Sequence, residues 1–299
     1  MINTPNPTPR FAPITVLWVI GLLSAAAIVL LSWVSLANPF PTDTLDWNYL
    51  ASSSLNLAAA TGAAIAGTFV TRQFERNENP HRVWLSFTVG LWCWVLGQAI
   101  VFALDVTASP YPEGLSVIDL LWLLGYVALG LALYHQIVLL FSPGNDRRLP
   151  LFLVLVTGAL GATALLTQLA IGAGLGQASH WTVVFMTMIY PVFDLLEGSA
   201  AIWLSLAFGR GQWSRPWWGM ILFALADGSD TFFWVGGYDL IPVSAQNALN
   251  FLSTIFSFGG YLVIGFTLLM NYFILRYGHA SGLLKSARLP EAPPPRTLS

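Results

Sequence analysis

The chain has 299 residues, 56% hydrophobic and only 9% charged, with a formal net charge of −2 at pH 7. Ordinary soluble domains are about a quarter charged, so composition excludes a water-soluble globule. With no basic stripe and one cysteine, Cys93, a nucleic-acid partner, a disulfide framework and a thiolate metal site are excluded as well.

Eight apolar stretches follow in order, at 14–36, 49–71, 83–104, 116–141, 149–172, 181–208, 216–236 and 248–275. Each is long enough, at about 1.5 Å per helical residue, to cross a hydrocarbon core of about 30 Å. The predicted fold class is therefore all-α, a polytopic bundle of eight transmembrane helices. A short N-terminal segment, 1–13, precedes the transmembrane domain 14–275, and a proline-rich tail, 276–299, follows it. That tail has the composition of extended, unstructured chain. It is also too short for a folded output domain.

The basic residues fix the expected orientation. Arg10 precedes the first stretch, Arg72, Arg76 and Arg82 follow the second, and Arg147 and Arg148 follow the fourth. Arg210 and Arg215 follow the sixth, and Arg276, Lys285, Arg288 and Arg296 follow the eighth. The remaining loops contain no Lys or Arg. The positive-inside rule then places both termini in the cytoplasm of a cell whose inner membrane holds the protein. Ser35-Leu36-Ala37 resembles a signal cleavage site, but the apolar run before it exceeds the usual 7–15 residues, so the first helix is expected to be retained.

Two parallel four-helix repeats, 14–141 and 149–275, are suggested by three pairings. Arg82-Val83-Trp84 matches Arg215-Pro216-Trp217, Gly125-Tyr126 matches Gly260-Tyr261, and Tyr49 matches Tyr190. Small residues from Ala58 to Gly67 permit close helix approach in the second stretch. Of the thirteen tryptophans, Trp92, Trp94 and Trp122 sit deep in the membrane, as packing or as a ligand wall.

Intramembrane ionisable groups are the first candidates for function. Asp194 and Glu197 in the sixth stretch and Asp227 and Asp230 in the seventh form two pairs at i,i+3 spacing, each on one helix face. Counting roughly 1.5 Å per residue sets Asp194 level with Asp230 and Glu197 level with Asp227. No Lys or Arg lies at that depth, so the four acids are expected to be protonated or to hold a cation. Tyr190, Ser229 and Thr231 are their nearest candidate hydrogen-bond partners. The alternative is that the acids are neutral polar contacts between helices. Asp119 falls in the first turn of the fourth stretch, where the helix dipole favours negative charge, and a ligand contact is the other reading. His135 is a lone histidine without a metal-ligand neighbour. No Walker loop, HExxH or GxSxG is present. The one lysine, Lys285, lies in the tail, which excludes a retinal protein. No catalytic or metal site is expected, and no residue pattern identifies a cofactor.

The run Pro112-Glu113-Gly114-Leu115-Ser116-Val117-Ile118-Asp119, continued to Gly125-Tyr126, resembles a recurring stretch of bacterial multi-pass sensor regions. Those regions stand N-terminal to diguanylate cyclase, phosphodiesterase or histidine kinase domains. Tyr190-Pro191-Val192-Phe193-Asp194 is similar to the same family's Tyr-Pro-x-x-Asp, and Asp227-Gly228-Ser229-Asp230 with Gly259-Gly260-Tyr261 completes the pattern. Leu115 and Val127 stand where that family often has proline. The resemblance implies that Asp119, Tyr126, Asp194 and Asp230 line a polar interior. The expected function is thus an inner-membrane sensor or adaptor without its own output domain. Its partners would be the lipid bilayer and a cytoplasmic kinase or cyclase, or other membrane subunits. A proton- or cation-coupled transporter and a structural subunit of a larger membrane complex are the alternatives.

Overall fold

A computed structural model describes residues 12–37, 47–110, 115–140, 153–161, 181–208, 211–234 and 241–278, with a few single positions beside them. Helices account for nearly all of these. They are α1 (Pro13–Ala37), α2 (Trp47–Thr71), α3 (Asn79–Val106), α4 (Val117–Leu140), α5 (153–161), α6 (Trp181–Phe208), α7 (Arg215–Trp234) and α8 (Val243–Tyr277). A single 3₁₀ turn, Gln212–Ser214, leads into α7. There is no strand among the described residues.

Six of the helices are long and apolar enough to cross a bilayer: α1 to α4, the Ile189–Phe208 part of α6, and α8. The chain is an all-α, membrane-embedded protein. The helix α7 is shorter, at 20 residues, and carries Asp227 and Asp230 in its interior. Most of the fifth apolar stretch and nearly all of the tail lie outside the described residues. Two helices begin earlier than hydropathy alone predicts. Pro80 sits in the first turn of α3, and Pro242 caps α8; a proline fits a helix start because its missing N–H has no intrahelical partner there.

Six helices form a closed ring. In order around it, α2 packs on α3, α3 on α4, α4 on α6, α6 on α7, α7 on α8, and α8 returns to α2. α1 lies outside the ring against α2 and α8. Its Trp18, Leu22, Leu23 and Val29 are exposed, the surface expected of a helix that faces acyl chains. α5 lies outside as well, with Gly158 and Gly161 against Leu196 and Leu195 of α6.

Hydrogen bonds between distant residues orient the helices. Ser53, near the start of α2, donates to Asp105 at the end of α3 (3.1 Å), and Ser253 of α8 donates to Asp230 of α7 (2.6 Å). Tyr190 of α6 donates to Asp119 in the first turn of α4 (2.9 Å). The starts of α2, α4, α6 and α8 therefore share one end of the ring with the ends of α3 and α7. We term this the acidic end. The opposite end carries Arg72, Arg82, Arg215 and Arg276, and is closed by a cluster of Trp84, Phe87, Trp213 and Trp217 with ring centroids 5.4 to 6.2 Å apart.

The α3–α4 and α7–α8 interfaces are built alike. A Cβ at Gly90 would fall 2.6 Å from Leu129 and 3.0 Å from the Gly125 carbonyl oxygen. One at Gly219 would overlap Ile264 and fall 2.7 Å from the Gly260 carbonyl oxygen. Trp94 fills the space beside Gly125 as Phe223 fills that beside Gly260. This geometry matches Gly125-Tyr126 with Gly260-Tyr261. It pairs Gly90 with Gly219 and Trp94 with Phe223, so the Arg82/Arg215 pairing is off by about one helical turn. In the packed register Trp84 corresponds to Trp213.

Candidate functional site

The site lies at the centre of the ring, in the half nearer the acidic end. It begins with Tyr126, which Gly125 and Trp94 hold in place. Small Gly125 lets the Trp94 ring close against α4, and the Trp94 Nε1–H donates to the Trp122 carbonyl (3.2 Å). The indole then sits edge-on to the Tyr126 ring, centroids 5.3 Å apart, while Phe193 stacks on the other side at 5.3 Å. Tyr126 is consequently buried, with its hydroxyl at the meeting point of α4, α6 and α7.

That hydroxyl lies 2.6 Å from Asp194 Oδ1 and 3.1 Å from Asp227 Oδ2. One O–H carries one proton and can donate well to one acceptor at a time. With both acids ionised, one of them is left without a full hydrogen bond. With one acid protonated, the phenol receives from it and donates to the other, so both acids are bonded to the hydroxyl at once. The number of protons on the pair thus decides the hydrogen-bond pattern across three helices.

The other predicted site residues are distributed around this centre. Glu197 is buried against the Gly130 backbone of α4, and neither of its carboxyl oxygens has a hydrogen-bond partner. Asp194 Oδ2 is likewise buried and without one. Asp230 sits one turn nearer the acidic end, is exposed, and accepts from Ser253. The depth count is corrected here: Asp194 meets Asp227 at the Tyr126 hydroxyl while Asp230 bonds to Ser253, because a count from each helix end does not fix how two packed helices are shifted along one another. Tyr190 bonds to Asp119 instead of joining the acids of α6 and α7. Ser229 turns back on its own helix to the Leu225 carbonyl (2.8 Å). The Thr231 side chain lies outside the described residues.

Asp119 serves two purposes. Its Oδ2 accepts from both N–H and Oγ–H of Ser116 (2.9 and 2.6 Å), and the Ser116 Oγ accepts from the Asp119 N–H (3.3 Å). This reciprocal pattern is a capping box at the start of α4, with Asp in the usual Glu position. The free oxygen, Oδ1, takes the Tyr190 hydroxyl.

A cavity of about 460 Å³ adjoins the cluster, within the range of small-molecule sites. Its walls come from all six ring helices, and it opens toward the acidic end, where Tyr49 and Asp230 are exposed. Tyr126, Tyr190, Asp227 and Asp230 line it, as do Trp94 and Trp122. Those two tryptophans pack against neighbouring rings and also line the cavity. Trp92 does neither; it is exposed on the outside of the ring and donates to Thr68. Sequence reasoning missed Gln98 and Ser257 as lining residues, and Ser53 and Ser253 as partners of acids. The available signal was spacing. The interval that relates Gly90 to Gly219 and Trp94 to Phe223 also relates Gln98 to Asp227. No group of three or more His, Cys, Asp or Glu among the described residues could hold a metal ion.

Comparison with protein-family models, with curated proteins and with solved structures found no match to this chain.

Proposed function

We propose that this protein is a membrane sensor or adaptor, which detects a proton or small ligand through the Tyr126–Asp194–Asp227 cluster and passes a helix rearrangement to a separate partner. One observation carries the reading: a single phenolic hydroxyl joins three helices through two carboxyl groups that compete for it. Adding or removing one proton or one cation there changes which helix pair is bonded. A bias of about 1.4 kcal/mol alters a two-state population tenfold. The aromatic cluster at the arginine end couples α3 to the 3₁₀ turn and α7, so movement of α7 is transmitted to loops rich in basic residues. In this reading the chain spans an inner membrane eight times, with both termini and the arginine end in the cytoplasm, where a kinase, cyclase or other subunit would bind.

Two parallel four-helix repeats fit the same picture. The matched α3–α4 and α7–α8 interfaces support them, as does the presence of both tyrosine pairs, Tyr49 with Tyr190 and Tyr126 with Tyr261, on one cavity. That central position between two similarly built halves also favours a second reading, a proton- or cation-coupled transporter.

The test is a distance measurement in nanodiscs. Spin labels are placed at Leu140→Cys and Trp218→Cys in a Cys93→Ala background. A sensor shifts the interlabel distance between mildly acidic and mildly alkaline buffer, and Tyr126→Phe removes the shift. An unchanged distance under both conditions in the otherwise unmodified chain overturns the reading. Uptake of a cation or proton by sealed proteoliposomes, lost in Asp194→Asn, would move the assignment to transport.

A further inference from the structure

We infer that the central cavity is a binding site for a small organic ammonium ion, seated among aromatic rings with its charge against Asp227 and Asp230. The inference deepens the sensor reading, since it names the ligand class of that same site.

Seven of the eleven lining residues are aromatic, among them Trp94, Trp122, Tyr126 and Tyr190. Aromatic faces attract a cation by their quadrupole, and several rings around one space are the usual way to hold an alkylated ammonium. The remaining polar lining is acidic or neutral: Asp227, Asp230, Gln98 and Ser257. No Lys, Arg or His is among the residues that line the cavity.

Asp227 also shares the Tyr126 hydroxyl with Asp194, so the carboxyl group that lines the cavity is tied to a second buried acid just behind the wall. A bare metal ion fits poorly, because it needs several oxygen ligands converging at close range. The described acids and histidines form no such group. An organic cation needs only one or two carboxylates and a soft wall.

The charge is also placed asymmetrically. The position in α3 that corresponds to Asp227 is Gln98, so acids line the α7 side and an amide faces them. That polarity orients a ligand with one charged and one apolar end.

The experiment uses the full chain in nanodiscs and isothermal titration with choline and with phenethylammonium. The control is the neutral analogue of choline in which carbon replaces the charged nitrogen. Saturable binding of at least one ammonium, with none of the neutral analogue, is expected. Asp227→Asn should weaken it about tenfold or more. Asp230→Asn retains the Oδ1 that accepts from Ser253 and should weaken binding several-fold without changing the unfolding temperature, which keeps the test meaningful if Asp227→Asn fails to fold. Equal binding of the neutral analogue, no binding of either ammonium, or full affinity in Asp230→Asn and Trp122→Leu would each overturn the inference. A proton-driven distance change that persists without ammonium binding would leave the sensor reading standing and remove this one alone.

Discussion

Trp94 occupies the space beside Gly125 where a methyl group would have to stand. A Cβ at Gly125 would overlap the indole, and a Cβ at Gly260 would come within 2.9 Å of the Phe223 ring. Gly125→Ala and Gly260→Ala should each cost about 1–3 kcal/mol through overpacking. Two other helical glycines supply the control. Gly62 and Gly228 have nothing within 4 Å of an added Cβ, so Gly62→Ala and Gly228→Ala should be neutral or stabilise by up to about 1 kcal/mol. Thermal unfolding of the four variants in one detergent separates the two classes. Equal behaviour would mean that the α3–α4 and α7–α8 contacts are not as close as described.

The Tyr126 hydroxyl is worth more than one hydrogen bond. Tyr126→Phe removes the hydrogen bond to Asp194 Oδ1 and the phenol's link to Asp227. Loss of a buried partner costs about 1–3 kcal/mol, which should appear as a lower unfolding temperature. Asp194→Asn alone keeps an acceptor oxygen for the phenol and should cost less. In the double variant Tyr126→Phe with Asp194→Asn, the losses should fall short of additive, because both substitutions remove the same contact. Strict additivity would show that the two groups do not meet.

How much of this could be read from the sequence differs by level. Helix existence followed from apolar runs, since a chain in lipid has few options besides helices. The acids of α6 and α7 stood out because charge at that depth is rare. Their partners did not. A depth count from each helix end does not fix how packed helices are shifted along one another; Asp194 thus meets Asp227 at the Tyr126 hydroxyl while Asp230 bonds to Ser253. Ser53 and Ser253 were invisible for a related reason. A serine in an apolar helix most often bonds its own i−4 carbonyl, as Ser229 does, and nothing local distinguishes one that reaches across. The cavity required the ring closure of α8 on α2, a long-range contact without a sequence signature.

Asn271 offers a test of unpaired polarity. It is fully buried in α8, and both its amide nitrogen and oxygen lack a partner. An unmet amide costs about 1–3 kcal/mol in protein interiors. Asn271→Leu, which keeps the number and branching of the side-chain heavy atoms but removes the polar ones, should therefore raise the unfolding temperature. A fall instead would reveal that a lipid headgroup, a water or another subunit satisfies the amide in the membrane.

Asp119 and Tyr190 separate a local role from an interhelical one. Tyr190→Phe removes one bond between α6 and α4 and should cost about 1 kcal/mol. Asp119→Ala removes that bond and also both bonds to Ser116 that begin α4, so a further cost of about 0.5–2 kcal/mol is expected. Because the capping contribution is independent of Tyr190, it should survive in the Tyr190→Phe background. Asp119→Ala should then still destabilise, by the capping cost alone. The difference between the two backgrounds measures the α4–α6 bond directly. A vanishing difference would mean that Asp119 only caps its helix and that the α4–α6 seam rests on apolar packing near Phe193.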